Sequence, residues 1–141
     1  MKKITSFILA LIMVFGMLSA IPLKANAQAP LITAEGWPTV TTTTANLRGY
    51  INANYGIAVT SAWFEYRAVG SSSWITAGLR TITNQDNREF FHTLPGLQSG
   101  TQYEYRACAI NTNGQIGTST PLVRFTTTAA NPSITSITIP K

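Results

Sequence analysis

From Pro30 onward the chain is written in short runs of Thr, Val, Ile, Tyr, Phe and Trp, cut apart by clusters of Gly, Asn, Ser and Pro. Branched and aromatic side chains suit a pleated, half-buried surface, while Gly and Asn permit the tight reversals between such surfaces. Beyond residue 28 no stretch repeats its apolar residues with a helical period. The pattern predicts seven strands, over residues 30–35, 45–52, 61–68, 73–77, 88–94, 102–111 and 122–127. Short strands at this spacing make a sandwich or a barrel.

Alternation then assigns faces, because neighbouring side chains in a strand point to opposite sides. Ala62, Phe64 and Tyr66 fall on one side of the third run; Trp63, Glu65 and Arg67 fall on the other. In the sixth, Tyr103, Tyr105, Ala107 and Ala109 oppose Glu104, Arg106 and Cys108. Leu47, Gly49 and Ile51 form the inward set of the second run, and Val123 and Phe125 oppose Arg124 in the last. The expected core is the apolar set, with Glu65, Arg67, Glu104, Arg106 and Arg124 on outer faces.

The first 27 residues follow a different logic. Lys2 and Lys3 precede an apolar stretch from Ile4 to Ile21, and Pro22 leads to Ala25-Asn26-Ala27. A positive start, an apolar middle and small residues at the cut are the layout of a signal peptide. Cleavage is expected between Ala27 and Gln28, so the membrane is met only during export. An uncleaved anchor is the competing reading, since about 20 apolar residues span a bilayer. The whole chain carries a formal charge of +5, but Lys2, Lys3 and Lys24 lie in this segment, leaving seven basic against five acidic residues. No basic run remains to hold phosphates, so a nucleic-acid partner is not expected. Cys108 is the sole cysteine, which excludes an internal disulfide. The remaining stretch of about 114 residues suits one domain.

The segment from Leu94 through Pro95-Gly96-Leu97-Gln98-Ser99-Gly100-Thr101-Gln102 to Tyr103-Glu104-Tyr105-Arg106 resembles the corner between strands E and F of fibronectin type III domains. In that likeness Tyr103 is the corner tyrosine, its hydroxyl bonded back to the backbone. Phe64-Glu65-Tyr66-Arg67 followed by Trp74 is similar to strands C and C′, and Phe125-Thr126-Thr127-Thr128 to strand G. Inward Leu47, Gly49 and Ile51 stand where the family often has a tryptophan in strand B, which fits divergent members in prokaryotic surface proteins. The resemblance implies an all-β, seven-stranded, immunoglobulin-like sandwich over residues 28–128, after a signal peptide over 1–27 and before an extended tail or linker over 129–141.

Catalytic equipment is sparse. Beyond the first 27 residues there are one histidine, His92, and five scattered acids, whereas acid–base chemistry needs a paired carboxylate or a poised histidine. One His with one Cys does not supply a zinc site, and Asp86 among Asn84 and Asn87 reads as an ordinary turn rather than a calcium loop. No enzymatic activity and no cofactor are expected. The family topology gathers the B–C, D–E and F–G loops at one end, making Asn54, Tyr55, Asn84, Asp86, Asn111, Asn113 and Gln115 candidate binding positions. Trp63, Arg67 and Arg106 are candidates on an outer face. Cys108, on that face, is either an accessible thiol available to a partner or a half-covered small residue. Trp37, Trp63, Trp74, Tyr50 and Tyr55 raise a sugar-binding reading, in which only Trp63 has a clearly outward phase.

The expected function is that of a secreted or cell-surface interaction and adhesion module for a protein or a glycan. A structural subunit or spacer of a surface polymer or larger envelope protein is the second reading, and a carbohydrate-binding module the third. The second draws on the tail, whose Ile134, Ile137 and Ile139 beyond Asn131-Pro132 suit self-association through residues 129–141 by strand addition.

Overall fold

A computed structural model describes residues 28–84 and 88–132 of the chain. The segment 1–27, Asp86 and residues 133–141 therefore lie outside the described residues, with the export signal, one loop candidate and most of the tail. The described elements are all strands: β1 (Leu31–Ala34), β2 (Thr39–Val40), β3 (Ala45–Ala53), β4 (Val59–Ala68), β5 (Ile75–Thr81), β6 (Glu89–Leu94), β7 (Gln102–Asn111), β8 (Ile116–Thr118) and β9 (Val123–Thr126). They form two antiparallel sheets, one of β1, β2, β3 and β6, the other of β5, β4, β7, β8 and β9.

Nine strands replace the seven expected because two are interrupted. β1 and β2 share one edge of β3, with β6 on the other, and β8 and β9 share the edge of β7 opposite β4. Pro38 lies in the first gap and Pro121 in the second, and a proline has no N–H to give the ladder. Each pair therefore acts as one broken strand, and the sandwich keeps seven strand positions. The run expected over 73–77 is also displaced: β5 covers Ile75–Thr81. Its pairing with β4 shifts register between Ala62 and Phe64, where Gly78 at φ +65° occupies the extra position. Glycine takes that left-handed conformation without the clash a side chain would meet.

The core lies between the sheets. Leu47 and Ile51 of β3, Ile32 of β1, and Phe90 and Leu94 of β6 face Ala62 and Phe64 of β4, Tyr105, Ala107 and Ala109 of β7, and Phe125 of β9. Phe64 and Phe90 meet at 4.9 Å between centroids, and Tyr103 stacks on Phe125 at 5.7 Å. Such contacts add about 0.5–1.5 kcal/mol beyond the area they bury. Gly49 makes room for this packing, since a Cβ there would fall 2.5 Å from the Phe90 ring. The inward set read from alternation is the one observed, with Tyr66 and Val123 at its margin.

Candidate functional site

Three surfaces are available: the loop end and the outer face of each sheet. At the loop end the chain reverses between β3 and β4, β5 and β6, and β7 and β8. The loops are tied together, with Thr112 N–H donating to Ala58 O at 2.9 Å and Arg88 Nη1 to Asn52 O at 2.9 Å. Asn54 Oδ1 accepts from Gly56 N–H at 3.4 Å, and Tyr55 adopts φ 52° with its ring exposed. Asn111 is the last residue of β7 and is buried. Its Oδ1 accepts from the N–H groups of Asn113 and Gln115, each at 3.0 Å, and its Nδ2 donates to Gln28 O at 2.9 Å. Asn111 is thus occupied in shaping the turn, while Asn113 is left at its exposed tip. Gln115 Oε1 is buried with no hydrogen-bond partner among the described residues.

The outer face of the second sheet brings Trp63, Arg67 and Arg106 together, but as parts of a closed network. β4 pairs with β7 so that Trp63 opposes Cys108, Glu65 opposes Arg106 and Arg67 opposes Glu104. Arg67 reaches Glu104 Oε1 through Nε at 2.9 Å and Nη2 at 2.8 Å, and Arg124 Nε reaches Glu104 Oε2 at 3.1 Å. Arg106 binds Glu65 Oε2 at 2.6 Å, and Trp63 Nε1 donates to Glu65 Oε1 at 3.4 Å. The Trp74 ring lies 4.2 Å from the Arg67 guanidinium carbon and 4.5 Å from that of Arg106. Cations over an aromatic face are attracted by its quadrupole. Every charge here is answered from within the sheet.

On this face one expectation, for Glu104, is corrected, and of the two readings of Cys108 the covered one holds. Glu104 is not a solvated charge, being 3 % exposed under the arginines; the hydrogen bond from Arg67, opposed by burial and helped by Arg124, holds its carboxyl below the usual value. Cys108 is not accessible, being 1 % exposed with its Sγ 3.9 Å from Thr118 Oγ1. Burial pushes its thiol up to about 11, and the charge of Glu65 adds to the effect. The reason is position: β7 is flanked by β4 on one side and by β8 and β9 on the other, so long side chains from both neighbours close over its outer face.

The outer face of the first sheet differs. Asn46, Arg48 and Tyr50 of β3 stand beside Glu89, Phe91 and Thr93 of β6, with Arg48 opposite Phe91, Asn46 opposite Thr93 and Tyr50 opposite Glu89. Trp37, in the gap between β1 and β2, borders the same ground. Together with Glu35, Thr39, Asn46, Arg48, Phe91 and Thr93 it lines a shallow hollow of about 530 Å³. Trp37 is 95 % exposed, Phe91 71 % and Tyr50 44 %. Between the rings Arg48 is fixed by two carboxylates, Glu89 at 2.6 Å and Glu35 at 3.4 Å. Thr93 Oγ1 donates to Asn46 Oδ1 at 2.7 Å. Sequence reasoning included Trp37 and Tyr50 among the aromatic residues but missed Phe91 and the grouping. The signal was present in the alternation of 88–94, where Phe91 has the opposite phase to buried Phe90.

Among the described residues no group of three or more His, Cys, Asp or Glu side chains comes together. His92 packs over Gly78, where a Cβ would fall 2.6 Å from its ring. Tyr105 donates its hydroxyl hydrogen to the Glu35 carbonyl, and burial pushes that hydroxyl up to about 12. No helix among the described residues is long and apolar enough to cross a membrane.

No protein-family model matches the chain, and no curated protein matches it. Solved structures do. The shorter form of the sensor domain of the anti-sigma factor RsgI4 from Pseudobacteroides cellulosolvens superposes with a TM-score of 0.58 at 17 % identity, covering 74 % of this chain and 100 % of that one. A fourth fibronectin type III domain from a human protein gives 0.61 at 15 % identity, covering 83 % and 94 %. The kinase region of twitchin from C. elegans gives 0.56 at 22 % identity, covering 72 % and 17 %. With the two-sheet topology and the corner at which the Tyr103 hydroxyl accepts from the Gln98 N–H at 3.0 Å, these likenesses show that the chain has a divergent fibronectin type III-like fold.

Proposed function

We propose that this chain is a non-enzymatic binding module, exported by its first 27 residues, whose recognition surface is the outer face of the first sheet. One observation carries the reading: Trp37, Tyr50 and Phe91 stand exposed together around one fixed arginine. Single exposed apolar residues are ordinary, but grouped aromatic rings beside anchored polar groups mark a contact surface. The second sheet offers no equivalent on its outer face, because Trp74 and the carboxylates already occupy Arg67, Arg106 and Arg124. An extracellular or cell-surface setting follows from the signal-peptide layout of residues 1–27.

The test has two parts. N-terminal sequencing of the exported protein is expected to begin at Gln28; a product retaining Met1 in the membrane fraction argues for an anchor instead. Sedimentation with cell-envelope material is expected to retain the protein, and a Trp37→Ala/Phe91→Ala double variant with unchanged melting is expected to be lost from the pellet. Retention of that variant at the parental level assigns recognition elsewhere, first of all to the loop end around Asn54, Tyr55, Asn84 and Asn113.

A further inference from the structure

Resting on the assignment of this face as the recognition surface, we infer that its ligand is a neutral polysaccharide. A protein–protein contact concentrates apolar side chains at its centre and places charges at its rim. Here the arrangement is reversed. The centre is the Glu35–Arg48–Glu89 triad, and the rings of Trp37 and Phe91 lie to either side of it, across β3 from one another. Tyr50 follows two residues along β3 from Arg48, on the same face.

Alternating rings and fixed hydrogen-bonding groups suit a pyranose chain, whose sugars carry apolar C–H faces bounded by hydroxyls. The rings supply flat apolar area with few rotatable bonds, so little freedom is lost on binding. The hydroxyls need donors and acceptors, and those are already oriented. Arg48 spends Nη1 and Nε on the two carboxylates, leaving the two donors of Nη2. The carboxylates have further lone pairs, and Thr39 and Asn46 border the hollow. Holding the polar groups in place before the ligand arrives lowers the cost of binding. Adjacent strands lie about 4.8 Å apart, so the backbones flanking β3 are roughly 10 Å apart, and a ligand that touches both Trp37 and Phe91 must cross β3, a span longer than one sugar ring. An oligosaccharide spans them where a monosaccharide does not.

Charge selects among polysaccharides. Two carboxylates against one guanidinium leave the triad with one net negative charge, so a uronic-acid polymer or a nucleic acid seated on this face meets like charge at close range, although the exported chain as a whole keeps seven basic against five acidic residues. A neutral chain meets no such penalty.

The experiment is isothermal titration calorimetry of the exported protein against cellohexaose, xylohexaose and mannohexaose, with polygalacturonate as the acidic probe. At least one neutral hexasaccharide is expected to bind and polygalacturonate is not. Trp37→Ala and Phe91→Ala are each expected to weaken that binding about tenfold or more, with unchanged melting because both rings are exposed. Tyr55→Ala, at the loop end, is expected to leave it unaltered. If no neutral hexasaccharide binds while envelope retention still depends on Trp37 and Phe91, the glycan inference is overturned and the face remains a recognition surface of another kind. If binding occurs but is indifferent to both ring substitutions, the inference and the assignment of the face fall together.

Discussion

Tyr103 shows how much of this fold depends on single polar atoms. Its ring stacks on Phe125 inside the sandwich while its hydroxyl accepts from the Gln98 N–H at 3.0 Å. Thr127 Oγ1 closes the same corner, accepting from Thr101 N–H at 3.0 Å and donating to Gln98 O at 2.6 Å. Tyr103→Phe keeps the stack and leaves the Gln98 N–H without that acceptor, a loss of about 1 kcal/mol or somewhat more. Denaturant midpoints of the two proteins measure it, and coincident midpoints would remove Tyr103 from its corner role. The buried titratable groups make a second prediction. Tyr105 is pushed up to about 12 from 10.0 and Cys108 up to about 11 from 9.0, chiefly by burial. Folded values above unfolded ones mean that the neutral forms contribute stability fully present below pH 9 and lost as pH rises between about 9 and 12, on the order of 2 kcal/mol per group. Glu104 has the opposite sign. Its carboxyl is held below 4.5 by Arg67 first, so its contribution is present above that pH and lost as the pH falls beneath it. Urea titrations across pH are expected to show a plateau with both flanks; unchanged stability up to pH 12 would mean that neither Tyr105 nor Cys108 is held as described.

Among the elements, the broken edge strands decide how the sandwich ends. β8 lies so close to the start of β1 that a Cβ at Gly117 would fall 1.8 Å from the Pro30 carbonyl oxygen, so these segments meet backbone to backbone. At the other end β9 stops at Thr126, and Thr128 makes the last described backbone bonds, its N–H to Thr41 O at 3.0 Å and its O from Gly100 N–H at 3.2 Å. Residues 129–132 are exposed. Truncation after Thr128 is therefore expected to change stability by less than about 0.5 kcal/mol, as for other exposed positions. Thermal melting of the truncated and full exported chains checks this, and a large fall would place the tail within the domain's own sheet. Light scattering on the same pair tests self-association through residues 129–141: association of the longer form alone favours a subunit of a surface polymer, and two monomers leave the tail as a linker. Alternation was a sound guide to these elements where strands are continuous. It failed to mark β2 and β8, because strands of two and three residues carry too few side chains to show a period.

At the scale of the whole molecule the two outer faces are the instructive contrast. Both carry arginines, carboxylates and aromatic rings at alternating positions, and from sequence the face holding Trp63, Arg67 and Arg106 looked the richer. Tertiary structure reversed the order. Trp74 arrives from the start of β5 to cover two arginines of the second sheet, while nothing among the described residues covers Trp37 and Phe91 on the first. Local pattern by itself determined the all-β class and the inward side chains, because alternation and turn chemistry act between residues close in sequence, and the Tyr103 corner was legible only through the likeness of residues 94–106 to fibronectin type III domains. Which outward side chains stay open to a ligand was decided only by the packed sandwich, because a strand's phase says which side a residue faces, and only its neighbours in space say what lies on top of it.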